Sequence, residues 1–154
     1  MAGKGTPAIV AAERAGVAFT VHEYAHDPKA ASYGLEAAEK LGLDPAHVFK
    51  TLVADVDGTL TVAIVPVSAQ LDLKALGKRA TMAEARLAER TTGYVTGGIS
   101  PLGQRKRLPT VLDESALTHE TIHVSAGRRG LEIELTPGDL LTLTGGETRR
   151  IAVW

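Results

Sequence analysis

The spacing of apolar residues predicts two short helices in the first third of the chain. Thr6 and Pro7 supply an N-cap followed by proline at the first helical position, and Gly16 suits the end of that helix. The apolar stripe of this helix consists of Ile9, Val10, Ala12 and Ala15. A second helix is predicted over residues 35–41, ending at Gly42.

Alternating and β-branched runs predict the strands. Residues 19–24 alternate between two faces and form a strand with one mixed face. Residues 51–56 and 59–67 flank Asp57-Gly58, a dipeptide that favours the positive-φ turn of a two-residue hairpin loop. Further strands are predicted over residues 108–112, 121–125 and 131–135, and a last one within residues 147–154.

Capping signals predict four more helical segments. Thr81 stands three residues before Glu84, which is the spacing of a capping box that opens a helix reaching about Arg90. The other three starts are Asp44-Pro45, Asp72 with a short helix ending at Gly77, and Thr136-Pro137. Strands and short helices are interspersed without strict βαβ alternation, which predicts a mixed α/β fold with a mixed sheet, open or closed.

Composition and charge narrow the classes of protein. The chain has 154 residues, of which 44% are hydrophobic, so we expect residues 1–154 to bury one core as one compact domain. The sequence contains no cysteine, which excludes disulfides, thiolate zinc sites and a cysteine nucleophile. A formal net charge of −1 argues against a broad basic face that grips DNA or another nucleic acid.

The lengths of the apolar runs indicate where in the cell the protein is expected. None approaches the ~18 residues of a membrane span. The N-terminal residues lack the long apolar centre of a signal peptide. We therefore expect a cytoplasmic protein that does not contact a membrane.

Three short blocks carry the candidate chemistry: VFKTL at residues 48–52, TTGYVTGGISPLGQRKRLPT at 91–110 and VSAGRRG at 124–130. Lys50 is either a solvated lysine or, because it begins a buried hairpin, a site residue. Gly97-Gly98 is either a tight turn or a place where backbone amides meet a carbonyl oxygen. Ser125 has no Gly-x-Ser-x-Gly elbow and no evident triad, so it is a poor nucleophile.

A metal site is a further possibility raised by His22 and His26. Their spacing places two ligands together only on a helix, and the alternating run with Asp27-Pro28 argues against a helix here. No third ligand cluster stands out in the sequence. We therefore predict no metal and no cofactor.

Taken together, the three blocks resemble the YbaK/EbsC family of aminoacyl-tRNA editing deacylases. The resemblance runs from about residue 6 to residue 141 and is closest to the free-standing Cys-tRNA(Pro) deacylases. It extends to the editing domain that is inserted in prolyl-tRNA synthetase. The fold that it implies is a mixed β-barrel surrounded by short helices.

The resemblance also implies the site residues. Lys50 matches the family's key lysine, and Gly97 and Gly98 match the glycines that line the aminoacyl pocket. The residues implied in substrate binding are Tyr24, Tyr33, Thr51, Ser100, Ser125, Gly127, Arg129 and Glu132. Two of these positions depart from relatives, since close relatives carry Asp where Glu132 stands and several carry Phe where Tyr33 stands.

The implied activity is hydrolase- or lyase-type removal of cysteine from Cys-tRNA(Pro), which serves translation fidelity in protein biosynthesis. Because the chain offers no evident nucleophile of its own, the substrate thiol is expected to attack its own ester carbonyl. The expected partners are the acceptor end of aminoacyl-tRNA and prolyl-tRNA synthetase. The alternatives are a deacylase for Ala- or Ser-tRNA and a non-catalytic module that binds aminoacyl-tRNA or a synthetase.

Overall fold

The computed structural model describes residues 5–30 and 32–154. Its helices are α1 (Pro7–Ala15), α2 (Tyr33–Leu41), α3 (Leu73–Leu76), α4 (Ala85–Thr92), α5 (Pro137–Thr144) and a 3-10 helix at Glu114–Thr118. Its strands are β1 (Thr20–Glu23), β2 (Phe49–Val56), β3 (Thr59–Pro66), β4 (Gln70–Leu71), β5 (Ala80–Met82), β6 (Thr110–Asp113), β7 (Ile122–Arg128), β8 (Leu131–Leu135), β9 (Glu147–Arg149) and β10 (Ala152–Val153). Among the described residues, no helix is both long enough and apolar enough to cross a membrane.

Most helix boundaries follow the local capping signals. The Thr6 hydroxyl accepts a hydrogen bond from the Ile9 N–H at 3.3 Å and begins α1, and Thr136 begins α5 in the same way. Ser32 caps α2, which therefore begins two residues before the predicted start at residue 35. The segment at Asp44-Pro45 is a single turn, with the His47 N–H donating to the Asp44 carbonyl oxygen.

The predicted capping box at Thr81 is wrong. Thr81 lies in β5, opposite Asp55 of β2, and α4 begins only after Glu84, whose side chain makes no capping hydrogen bond. The pairing of β5 with β2 therefore prevails over the capping signal that residues 81–84 carry for a helix.

The confirmed hairpin of β2 and β3 forms the centre of the largest sheet. Its turn residues Asp57 and Gly58 have φ values of 52° and 88°, as the two-residue loop requires. The strand order in this sheet is β5-β2-β3-β6-β9, and β6 runs parallel to β3 and to β9. The sheet is therefore mixed, and the predicted mixed α/β class is confirmed.

The strands do not form the closed barrel that the family resemblance implied. Among the described residues they divide into the five-stranded sheet, a three-stranded sheet in the order β1-β8-β7, and the pair β10-β4. One isolated parallel bridge between Val48 and His123 links the start of β2 to β7. A single bridge does not close a sheet, but it aligns β2 with β7, and the candidate site lies there.

Asp113, at the end of β6, is a buried polar residue of the core. Its side chain is 1% exposed, and Oδ1 accepts hydrogen bonds from the backbone N–H groups of Ile151 and Ala152, both at 2.9 Å. Oδ2 accepts a third from Ser115 at 3.1 Å. These charge-assisted bonds satisfy the carboxylate and hold the C-terminal segment on the core.

Candidate active site

A cavity of about 360 Å³ opens where α2, β2, β8 and the loop after α4 meet. Seven of the eleven predicted site residues line it: Tyr24, Tyr33, Lys50, Thr51, Gly97, Ser125 and Glu132. The remaining wall is largely apolar and includes Val48, Phe49, Met82, Ala85 and Ile99, none of which was predicted as a site residue. The sequence gives no signal for these residues, because the same apolar residue types fill an ordinary hydrophobic core.

Strand pairing brings three polar side chains of the wall side by side. Ser125 of β7 lies directly opposite Glu132 of β8. The parallel bridge from Val48 to His123 places Lys50, two residues further along β2, beside Ser125. Lys50, Ser125 and Glu132 therefore form a row across β2, β7 and β8 that faces the cavity.

Lys50 supplies a cation to this row. Partial burial lowers the pKa of its ammonium below the usual value of a lysine. Within the described part of the chain, Lys50 forms no salt bridge and no side-chain hydrogen bond. A partly desolvated cation without a counter-ion favours a negatively charged or oxygen-rich ligand.

Glu132 supplies a neutral acid rather than a carboxylate. The residue is 7% exposed, and burial raises the pKa of its carboxyl to about 8, so that it holds its proton at neutral pH. No cation of the described residues offsets this desolvation. Burial also raises the pKa of the neighbouring Tyr24 phenol, to about 12. The negative charge that Glu132 carries once it is ionised contributes to this rise.

Thr51 adds an unsatisfied hydroxyl. Its Oγ1 is buried and has no hydrogen-bonding partner among the described residues. Buried hydroxyls are normally paired, so this oxygen is an exception, and a side-chain rotation is needed before it meets a ligand in the cavity that Thr51 lines.

Tyr33 and Gly97 form part of the rim of the cavity, and Arg129 packs against it. The guanidinium carbon of Arg129 lies 4.6 Å from the centroid of the Tyr33 ring, and its Nε donates to the Thr96 carbonyl oxygen at 2.9 Å. Gly97 packs against the same ring with a φ of 86°. Arg129 thus contacts the rim, although it does not line the cavity itself.

Of the two glycine amides expected to meet a carbonyl oxygen, one is already used. The Gly98 N–H donates to the Val95 carbonyl oxygen at 2.9 Å and forms a tight turn. The Gly97 N–H makes no hydrogen bond within residues 5–30 and 32–154. Of the pair, only Gly97 lines the cavity and keeps an N–H without a hydrogen-bonding partner in the described part of the chain, whereas the Gly98 N–H serves the turn.

Gly98, Ser100 and Gly127 lie behind the cavity wall. A Cβ on Gly98 would meet the Arg128 backbone at 2.8 Å, and one on Gly127 would meet Tyr94 at 2.8 Å. Ser100 is fully buried, and its hydroxyl accepts from the Leu102 N–H at 3.2 Å. These residues hold the 97–103 loop against β7, and the structure does not bring them to the cavity with the other predicted residues.

The two histidines of the H-x-x-x-H spacing are separated. His22 Nε2 lies 2.9 Å from Glu134 Oε1, whereas His26 Nδ1 lies 2.7 Å from Glu36 Oε1. Each imidazole contacts its own carboxylate, so the pair does not form the site that its spacing suggested.

The chain is similar to known proteins over most of its length. Residues 27–143 match the family model described as the aminoacyl-tRNA editing domain. EbsC of Enterococcus faecalis (strain ATCC 700802 / V583), which carries the name of a Cys-tRNA(Pro)/Cys-tRNA(Cys) deacylase, is 43% identical over 120 residues, covering 74% of this chain and 73% of EbsC.

Two solved structures share the fold. A protein that carries the name of a trans-editing enzyme for prolyl-tRNA synthetase has a TM-score of 0.85 at 25% identity, with 96% of each chain covered. Hypothetical protein APE2540 has a TM-score of 0.86 at 21% identity, with 96% of this chain and 100% of that chain covered.

Proposed function

Because the chain belongs to the aminoacyl-tRNA editing domain family, which includes EbsC, we propose that it is a trans-editing deacylase that removes cysteine from mischarged Cys-tRNA(Pro). We take residues 1–154 as one editing domain. The observation that carries the proposal is one cavity whose wall combines an unpaired lysine, a protonated buried carboxyl and a free backbone amide. The expected site of action is cytoplasmic.

The size of the cavity supports a small aminoacyl group as the ligand. Pockets for small molecules span roughly 300–1,000 Å³, and the volume of about 360 Å³ lies near the lower end of that range. The apolar part of the wall suits a compact side chain such as that of cysteine, serine or alanine. The body of the tRNA must lie outside.

The chemistry that we propose draws its nucleophile from the substrate. The thiol sulfur of the cysteinyl group attacks its own ester carbonyl carbon, and the bond from that carbon to the terminal ribose oxygen breaks. The ribose oxygen leaves with the proton that the thiol gives up. The products are a four-membered thiolactone and uncharged tRNA, so neither water nor a protein nucleophile takes part.

The residues of the chain position and polarise this reaction. Lys50 favours the thiolate and holds the tRNA terminus, because a nearby cation stabilises negative charge. In this proposal the Gly97 N–H donates to the carbonyl oxygen as charge develops on it, which its lack of another hydrogen-bonding partner among the described residues supports. Ser125, Thr51 and Glu132 make polar contacts with the aminoacyl group or the terminal adenosine, and the Glu132 carboxyl can donate its proton in a hydrogen bond.

A partner for tRNA selection follows from the charge of the chain. A net charge of −1 argues against a broad basic face that would grip a tRNA body. We propose that prolyl-tRNA synthetase supplies that grip. The name carried by the structural relative at 25% identity supports the same partner.

The proposal is tested by single-turnover deacylation of Cys-, Ser- and Ala-tRNA(Pro) with saturating protein. We expect Cys-tRNA(Pro) to be deacylated much faster than the other two, because serine is a far poorer internal nucleophile and alanine has none. Size alone separates such substrates by only about 1–3 kcal/mol. Equal rates for Cys and Ser would contradict the thiol mechanism and favour a protein-activated water, and no turnover of any substrate would favour a non-catalytic binding module.

A further inference from the structure

Beside the cavity but outside its lining, three strands bring two imidazoles and a carboxylate together. His22 of β1, His123 of β7 and Glu134 of β8 each offer one ligand atom, and these atoms all lie within 4.8 Å of one another. His123 and Glu134 are directly opposite in the antiparallel pairing of β7 and β8. From this cluster we infer that the protein binds one divalent transition-metal ion of the Zn²⁺ type through His22, His123 and Glu134.

The distances suit an ion of that size. Ligand atoms held ~2.1 Å from a tetrahedral zinc ion are ~3.4 Å from each other. His22 Nε2 lies 2.9 Å from Glu134 Oε1, and His123 Nε2 lies 4.0 Å from Glu134 Oε2. The first distance ends on Oε1 of Glu134 and the second on Oε2, and the three ligand atoms all lie within 4.8 Å of one another. Side-chain movements on the order of an ångström would bring them to the separation that one ion requires.

A second and independent observation is the state of His123. The residue is 5% exposed, and its Nδ1 is buried without a hydrogen-bonding partner among the described residues. Its Nε2, at 4.0 Å from Glu134, is also beyond hydrogen-bonding distance. A buried ring nitrogen without a hydrogen bond is unusual, and here it means that no hydrogen bond at Nδ1 anchors the His123 ring. A metal–nitrogen bond at Nε2 would anchor the ring from its other side.

The surroundings complete a site that an ion can enter. Thr121 donates its hydroxyl to Glu134 Oε2 at 2.6 Å, which is the kind of outer contact that orients a ligating carboxylate. The side chains of His22 and Glu134 are 32% and 28% exposed, so solvent reaches the cluster. Two imidazoles with one carboxylate suit zinc and its neighbours in the transition series, whereas Mg²⁺ and Ca²⁺ prefer oxygen ligands alone.

A bound ion would link the three strands of the β1-β8-β7 sheet to one another. One ligand comes from each of β1, β7 and β8, and β8 also carries Glu132 of the cavity wall. An ion that binds only the folded state stabilises it by a free energy that grows with the logarithm of its concentration over its Kd. The site requires no deacylase activity and stands apart from the proposed function.

The test is calorimetric titration of Zn²⁺ into the full chain, stripped of metal with a chelator and free of any histidine tag. We expect one ion per chain and a melting temperature that rises with Zn²⁺, whereas Mg²⁺ at the same concentrations has no effect. His22→Gln and Glu134→Gln each keep a hydrogen-bonding group. Each should lower Zn²⁺ affinity at least ~100-fold, since losing an outer-shell partner alone costs 10–100-fold.

The matched control is His119→Gln. The His119 ring lies 3.9 Å from that of His47, which makes this pair the competing place for an ion. We expect the control to bind Zn²⁺ as the unaltered chain does. Loss of binding in the control with retention in His22→Gln would place the ion at His47 and His119 and overturn the proposal, as would the absence of saturable Zn²⁺ binding. Metal-free melting temperatures of all variants show that each is folded.

Discussion

Gly97 lies against the ring of Tyr33, and a Cβ added to the glycine would come within 2.6 Å of Cδ2 of that ring. The backbone at Gly97 also has a φ of 86°, which non-glycine residues rarely adopt. Tyr33 in turn supports the Arg129 guanidinium at the rim of the cavity. The absence of a side chain at Gly97 therefore allows the Tyr33 ring, and with it the Arg129 guanidinium, to lie at the entrance of the site.

Gly97→Ala is expected to lower both stability and deacylation. The left-handed backbone costs an alanine roughly 1–2 kcal/mol, and the new methyl displaces the Tyr33 ring. Tyr33→Ala in the same chain removes the clash but not the backbone strain, so the double variant should recover part of the lost activity and little of the lost stability. Single-turnover rates and urea unfolding of the two single variants and the double variant test this. Purely additive effects on the rate would show that the ring contact is not the cause.

Lys50→Ala is expected to reduce deacylation by on the order of 10² or more, the usual scale for losing a charge contact at a reacting centre. Its melting temperature should equal or exceed that of the unaltered chain, because the substitution removes a partly desolvated ammonium without a counter-ion. Lys78→Ala is the control, since Lys78 is exposed and its loss changes the net charge equally. Near-normal turnover by a folded Lys50→Ala chain would remove Lys50 from the mechanism.

Glu132→Gln is expected to flatten the dependence of stability on pH. Between the ordinary carboxyl value of 4.5 and about 8, the folded state holds a proton that the unfolded state has released. The contribution of this group to the unfolding free energy therefore falls as pH rises, by up to ~1.4 kcal/mol per pH unit. As pH rises above 5, the unfolding free energy of Glu132→Gln should therefore increase progressively relative to that of the unaltered chain.

Urea unfolding at pH 5, 6, 7 and 8, with a chelator present, measures this difference. Comparison of two chains cancels the opposing contributions of Glu36 and Glu134, whose carboxyl pKa values are lowered in the folded state. Glu120→Gln is the control, because Glu120 is exposed. Parallel stability curves for Glu132→Gln and the unaltered chain would mean that Glu132 is already ionised in the folded state.

The chain alone is expected to bind uncharged tRNA weakly and to discriminate poorly between tRNA(Pro) and tRNA(Cys). The physical reason is its net charge of −1, because phosphate neutralisation supplies most of the affinity for a nucleic acid backbone. Adding prolyl-tRNA synthetase should raise the preference for Cys-tRNA(Pro) in competition assays. A strong preference for tRNA(Pro) without the synthetase would contradict this division of labour.

Local sequence signals predicted the elements whose determinants lie within a few residues. Thr6-Pro7, Asp57-Gly58 and Thr136-Pro137 carry their own caps or turn geometry, and all three predictions are confirmed. The Thr81 capping box failed because β5 pairs with β2, some 25 residues away along the chain. The short strand β4 and the 3-10 helix were missed, since neither carries a periodic pattern long enough to read.

The candidate site depended on pairings that the sequence does not display. Lys50, Ser125 and Glu132 meet only because β2, β7 and β8 lie side by side, and their prediction rested on the family resemblance. The cluster around His22 was missed for the same reason. The sequence spacing directed attention to His26, four residues away, whereas the partners that approach His22 are 101 and 112 residues away.

The hydrogen bonds of the buried Asp113 carboxylate determine when the edge of the large sheet folds relative to translation. Two of its three hydrogen-bond donors are the backbone amides of Ile151 and Ala152, which emerge from the ribosome 38 and 39 residues later. Until they arrive, burying Asp113 would enclose a charge with one donor from Ser115. The edge formed by β6 and β9 must therefore close after translation of the segment, so a nascent chain stalled before Ile151 should remain susceptible to proteases near β6 while a released chain resists them.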